Sequence, residues 1–202
     1  MVELMAGTYF HPAITLLGTA AFVLFLAWEF AILYSSGKVI TSSFKGMSII
    51  TGAAAHILVL GGPRFPGGLE TSLIGAFMIC LAGYLLYRSL VAELPRETYS
   101  PASQKPGRRK TYRKGTYALV RHPALWWYGL FLAGLFIFSG AKWLLMAGVV
   151  WWLANLVLVV IEDLYLYPLM FEDYLSYKRE TPMLIPNRKS FSRCLKTWSA
   201  KK

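Results

Sequence analysis

The sequence predicts an all-α, polytopic membrane protein of about five transmembrane helices, in which a C-terminal helical hairpin borders a cytosolic pocket. Three observations predict it. Of the 202 residues, 56% are hydrophobic and only 15% are charged, outside the balance of soluble domains. The apolar residues gather in five runs separated by Gly, Pro and charge. Lys and Arg crowd alternate connections between those runs, as they do where a bilayer has two unlike faces.

Residues 1–10 carry Glu3 and no Lys or Arg, so they lack the positive start of a cleaved signal peptide and are expected to stay in the mature protein. The first run, about residues 12–34, is long enough at 1.5 Å per residue to cross a hydrocarbon core of roughly 30 Å, and it contains Glu29. The second, about residues 47–62, is short and rich in small residues, holds His56 and stops at Gly61, Gly62 and Pro63. The third, about residues 69–91, places Gly75 and Gly83 where a neighbouring helix can approach closely. Residues 95–114 form the one clear connector, with Arg96, Lys105, Arg108, Arg109, Lys110 and Arg113 set among Pro, Gly and Ser. The fourth and fifth runs, about residues 124–140 and 143–167, are so close in sequence that they must form a helical hairpin. Pro168 is expected to break the fifth helix. In the tail, residues 168–202, the basic stretch from Arg188 reads as a solvated, lipid-facing end.

With five spans, Arg64 and Lys142 fall on one side and the other 21 − 2 = 19 Lys and Arg on the other. That places the N-terminus outside and the connector and C-terminus in the cytoplasm. The net charge of +11 then answers to anionic lipid headgroups rather than to nucleic acid, because the basic residues flank apolar runs. Cys80 and Cys194 lie in unlike surroundings and suggest free thiols. Three scattered histidines and two remote cysteines lack metal-ligand spacing, so no metal is expected.

Chemistry is expected where the connector meets the fourth run. Pro123 pushes the residue before it away from helical angles and is itself suited to a first helical position. Arg121 and His122 therefore meet a helix start, followed by Trp126, Trp127 and Tyr128 as interfacial aromatics. Across the hairpin, Glu162 and Asp163 close an apolar stretch, and acids at a bilayer edge usually face a cavity or a partner. Spacing alone fits a plain water boundary equally well; the tail tips the balance. Glu29 and His56 fit an interhelical hydrogen bond better than a functional pair, His11 fits an end cap, and Trp151 and Trp152 fit core packing.

Gly115, Tyr117, Arg121, His122 and Pro123, then the hairpin, then Glu162 and Asp163, then Phe171, Tyr174 and Tyr177, then Pro182, Ile185 and Pro186 occur in a specific order. In that order the chain resembles the isoprenylcysteine carboxyl methyltransferase and phospholipid methyltransferase family of integral membrane enzymes. The resemblance covers about residues 114–187, and residues 1–94 add only topology. It implies that residues 95–202 form a methyltransferase core within one integrated domain. It further implies that S-adenosylmethionine binds at the cytosolic end of the hairpin under the tail, while a lipophilic or amphipathic acceptor enters from the bilayer.

The donor-binding set implied by the resemblance is Tyr117, Leu119, Val120, Arg121, His122, Pro123, Tyr128, Gly129, Glu162, Asp163, Tyr174, Tyr177, Pro182 and Ile185, with Arg121, His122 and Glu162 at the catalytic centre. Methyl transfer from a sulfonium is an in-line displacement, so the protein has to position two partners and exclude water, with no covalent nucleophile. The zwitterionic donor calls for an anion, a cation and aromatic faces. Glu162 suits its amino group, Arg121 or His122 its carboxylate, and Tyr117, Tyr128, Tyr174 and Tyr177 its adenosine or sulfonium. The chain departs from the usual pattern at Leu125, Asp163 and Glu172, changes that bear on the acceptor more than on the donor. Two other readings remain: a nicotinamide-dependent membrane reductase of sterols or enones, which looks similar over the final hairpin but generally carries more spans, and a non-catalytic protein keeping the fold. A carboxylate, amine, phenol or thiol acceptor and the oligomeric state all stay open.

Overall fold

The computed structural model describes residues 12–34, 37–94 and 109–198. Among them the chain is helical, with two isolated bridges and no strand. In chain order the helices are α1 (Pro12–Leu33), α2 (Lys38–Val59), α3 (Leu69–Tyr87), α4 (Thr116–Leu119), α5 (Pro123–Ser139), α6 (Lys142–Ile161), α7 (Tyr167–Met170), α8 (Tyr174–Glu180) and α9 (Arg188–Thr197). A wider π-helical turn extends α3 over Arg88–Ala92, and another joins α6 to α7 over Glu162–Leu166.

Three stretches are long and apolar enough to cross a membrane: Pro12–Leu33, Leu69–Ala92 and Lys142–Met170. Helix α5 is apolar but has 17 residues. Helix α2 reaches 22 residues only by taking in Lys38 and Lys45, so it begins well before the expected residue 47. Its polar start stays helical because the Thr41 and Ser43 hydroxyls donate back to the carbonyls of Lys38 and Val39, at 3.0 and 2.8 Å. Large apolar side chains such as Leu73, Phe77, Met146, Val149 and Val157 lie exposed along the long helices. Single exposed apolar residues are ordinary, but bands of them suit a lipid surroundings.

The long helices pair through small residues. A Cβ on Gly75 of α3 would lie 2.4 Å from the Phe138 nitrogen of α5, and one on Gly134 of α5 would lie 2.8 Å from Met78 Cβ. Gly83, expected to share that contact, faces open space instead, because its position on α3 turns away from α5. Trp151 is fully buried against Gly18 of α1 and donates through Nε1 to the Thr15 carbonyl at 3.0 Å. Trp152 donates to the Leu125 carbonyl at 3.2 Å. His56 meets Tyr128, Nε2 to Oη at 3.2 Å, rather than Glu29.

The α2–α3 loop bonds the α5–α6 turn at one end of the bundle, Phe65 N donating to Gly140 O and Lys142 N to Pro63 O, both at 2.8 Å. The other end collects the C-terminal parts of α1, α3 and α6 and the start of α5. Pro168 does not break the helix as expected. Proline has no N–H and its ring would clash with the carbonyl four residues back in α geometry. The preceding π turn, closed by Tyr167 N on Glu162 O, opens room, and the helix runs on to Met170. Both Cys80 and Cys194 are free thiols, the first exposed and the second buried. His11 lies outside the described residues, as does most of the connector.

Candidate functional site

Asp163 ties three segments together. Its carboxylate accepts from Arg121 Nε at 2.7 Å and Nη2 at 3.1 Å, a bidentate pair, and from the Tyr174 hydroxyl at 2.7 Å. Lys178 Nζ stands 2.9 Å from its second oxygen, and His122 Nε2 3.3 Å from the first. The Arg121 Nη1 reaches the carbonyls of Thr181 and Lys178 at 2.5 and 3.3 Å, while the backbone nitrogens of Arg121 and His122 donate to Pro182 and Met183. The corner before Pro123, the end of α6 and the tail are therefore one unit. Buried, charge-assisted bonds of this kind hold geometry tightly.

His122 lies between two acids. Its Nδ1 is 3.5 Å from Glu162 Oε2 and its ring stacks on Tyr167, centroids 5.5 Å apart. Burial works against the imidazolium, but bonds to Asp163 and Glu162 outweigh it and raise the His122 pKa above its ordinary value. An acid on each nitrogen is a setting that favours the imidazolium.

The far end of the connector is fastened to the tail. Asp173 accepts from Thr111 N at 2.8 Å, Thr111 Oγ1 at 2.9 Å and Arg113 Nη2 at 2.8 Å. Burial would raise its pKa, yet the Thr111 and Arg113 bonds hold it below the usual carboxylate range. Glu172 N donates to Arg109 O at 2.9 Å, and the Tyr177 hydroxyl to Tyr117 O at 2.7 Å. Gly115 is required at the base of this wall. Its φ is 59°, and a Cβ there would meet the Glu93 carboxylate at 2.4 Å, the group that accepts from Thr116 N and Oγ1.

These segments enclose a cavity of about 230 Å³. Phe25, Trp28, Glu29 and Ile32 of α1 form one wall, and Arg109, Lys110, Thr111 and Tyr112 another. Tyr117, Arg121, Tyr167, Met170, Phe171, Tyr174 and Tyr177 complete the enclosure, with Leu90 and Leu94 beside them. Burial pushes the Tyr174 and Tyr177 hydroxyls up, with the Asp163 carboxylate adding to it at Tyr174, so both stay neutral. Glu29 is the sole acid among the lining residues. It is only 6% exposed, and its Oε2 has no hydrogen-bond partner among the described residues. Its carboxyl meets that of Glu162 behind it and feels the Arg109 charge.

Of the donor-binding set read from the sequence, Tyr117, Arg121, Tyr174 and Tyr177 line the cavity. His122, Glu162 and Asp163 stand behind that lining, joined to it by the bonds above. Val120 and Pro123 are buried in the corner, Leu119 is half-buried, and the Pro182 carbonyl holds Arg121 N at 3.0 Å. Ile185 is 77% exposed. Tyr128 and Gly129 lie inside the bundle, against His56 and Trp152, and not in the cavity wall.

Two expected pairings change with this geometry. The acid in the wall is Glu29, while Glu162 faces His122. The described bonds take four of the five Arg121 N–H groups, and the other cations in the wall are Arg109 and Lys110. Glu29 had a signal in the sequence, an acid in an apolar run. Phe25, Trp28 and Tyr112 had none, being ordinary aromatics until the fold brings them together.

Fold and site define a helical protein with three stretches long and apolar enough to cross a membrane and an aromatic-walled cavity at one end. No protein-family model, curated protein or solved structure matches this chain.

Proposed function

We infer that the protein transfers a methyl group from S-adenosylmethionine to a lipophilic or amphipathic acceptor at the membrane. One observation carries this: a single cavity combines a buried acid with one oxygen unpartnered among the described residues, two cations and tyrosine faces, which are the three demands of a sulfonium zwitterion. The residues fit the donor. Glu29 Oε2 lacks a partner that a positive group would supply, and Arg109 and Lys110 suit a carboxylate. When bound, S-adenosylmethionine supplies an electrophilic methyl group on a positive sulfur.

In this reading the chain's own residues bind, orient and dry the site. Tyr112, Tyr117, Tyr174 and Tyr177 offer faces and neutral hydroxyls to the adenosine and the sulfonium. Arg121, fixed by Asp163, holds the wall rather than the ligand. Phe25, Trp28 and Ile32 give the acceptor an apolar approach from the membrane side, and closure by the tail keeps water out. Five spans, with the cavity and C-terminus cytoplasmic, would leave 19 of the 21 Lys and Arg of the sequence on the cytoplasmic side.

The test is ligand stabilisation of the purified protein. S-adenosylhomocysteine at a hundred times its dissociation constant should raise the melting temperature by roughly 5–10 °C. Reduced nicotinamide phosphate should leave it unmoved. Stabilisation by the nicotinamide cofactor in its place would replace this function with a reductase. No shift from either, together with no label passed from donor to lipid, would leave a non-catalytic protein.

A further inference from the structure

Glu29, Glu162 and His122 are three buried titratable groups in sequence from the cavity outward, more than donor binding requires. Glu29 Oε2 has no partner among the described residues, and its residue lines the cavity. Its carboxyl meets Glu162 across the α1–α6 contact. Glu162 Oε2 lies 3.5 Å from His122 Nδ1, His122 Nε2 lies 3.3 Å from Asp163 Oδ1, and Asp163 Oδ2 lies 2.9 Å from Lys178 Nζ. The Lys178 side chain is 28% exposed. An anchor for a cation would need Glu29 alone. A line of carboxyl, carboxyl, imidazole and carboxylate ending at a half-buried amine that water can reach is what moving a proton out of a closed site requires.

We propose that Glu29 is the proton acceptor of the transfer and that Glu162 and His122 conduct the proton to the surface, so that the acceptor substrate bears hydrogen on its attacking atom. The inference rests on the methyl-transfer reading. The balance is simple: an amine, thiol or phenol X–H attacks the methyl carbon, the X–C bond forms as the C–S bond breaks, and the sulfonium leaves as a neutral thioether. The hydrogen of X passes as a proton to Glu29 Oε2. Glu29 hands a proton to Glu162, Glu162 protonates Nδ1 of His122 in its neutral Nε2–H form, the imidazolium so formed releases its Nε2 proton toward Asp163, and Lys178, having given a proton to water, takes it up. A carboxylate acceptor loses no proton on methylation and has no use for this line.

The groups facing it are few. Arg109 and Tyr167 act on Glu29 together with Glu162, and Tyr167 stacks on His122 between the two acids.

The wild-type protein in proteoliposomes, given methyl-labelled S-adenosylmethionine and a total membrane lipid extract, tests the acceptor class first. The labelled product should survive mild alkali, as N-, S- and aryl O-methyl groups do. Label released as methanol would reveal a carboxyl ester and overturn the proposal. Glu29→Gln should lower turnover at saturating donor by about 100-fold, beyond whatever it costs in S-adenosylhomocysteine affinity, the loss expected when a general base is removed. Turnover equal to wild type in that variant also overturns it. Glu162→Gln should slow turnover and recover part of it with added imidazole, a rescue that a purely structural role would not show. Where Glu29→Gln fails to fold, Glu29→Asp should retain reduced turnover that rises with pH, and a pH profile like wild type would count against the proposal. Absence of S-adenosylhomocysteine binding to the wild type removes the methyl-transfer reading and this inference together. Binding with an alkali-labile product removes the inference alone.

Discussion

At the scale of single residues, Asp163 decides more than any other side chain. It is 2% exposed and neutralises Arg121 within hydrogen-bond distance. Breaking one partner of a buried pair leaves the other charged and alone, at a cost on the order of 3–5 kcal/mol. Asp163→Asn should therefore lower stability by about that amount and loosen the tail, read as a lower denaturation midpoint and easier proteolysis after α6. If the midpoint holds, Arg121 finds its charge balance elsewhere. His122 adds a pH dependence whose sign follows from its raised pKa. A group with a higher pKa folded than unfolded stabilises fully below its ordinary value of 6.5 and loses that contribution as pH rises through the folded value. Melting temperature should thus fall as pH is raised above about 6.5, and His122→Gln should flatten that slope. A slope unchanged in the variant would assign it to other groups.

At the scale of elements, the close approach of α3 and α5 is the most exposed to test. Gly75 has no room for a Cβ because backbone, not a movable side chain, stands 2.4 Å away. Gly75→Ala should destabilise by about 1–3 kcal/mol, the usual cost of overpacking, whereas Gly83→Ala should be neutral or stabilising, since a helical glycine in open space gains from the change. Equal effects at both positions would mean that the helix face is assigned wrongly. This pair also marks how far the sequence could be read. The apolar runs, the hairpin and the Arg121–His122 corner before Pro123 are written in hydropathy and in the proline, because these depend on local pattern, whereas the pairing of Arg121 with Asp163 across 42 residues is not. Which glycine faces the neighbour depends on helix rotation, and apolar residues all round α3 leave that rotation unmarked. The start of α2 was hidden for a related reason, since hydroxyl groups that bond their own helix do not interrupt it.

At the scale of the whole molecule, the cavity is assembled from α1, the connector end, α4 and the tail, segments up to about 150 residues apart in sequence. That is why these parts of the wall were illegible: Phe25, Trp28 and Tyr112 become a site only after the bundle folds. A wall made of separate segments has a consequence for dynamics. A ligand that touches all of them links their openings, so that local unfolding of each becomes less frequent together. Hydrogen exchange with and without S-adenosylhomocysteine should then slow jointly over residues 25–33, 109–117 and 167–177, while the α2–α3 loop at the opposite end stays as it was. Slowing limited to residues 167–177 would place the ligand under the tail alone and detach α1, and Glu29 with it, from the site.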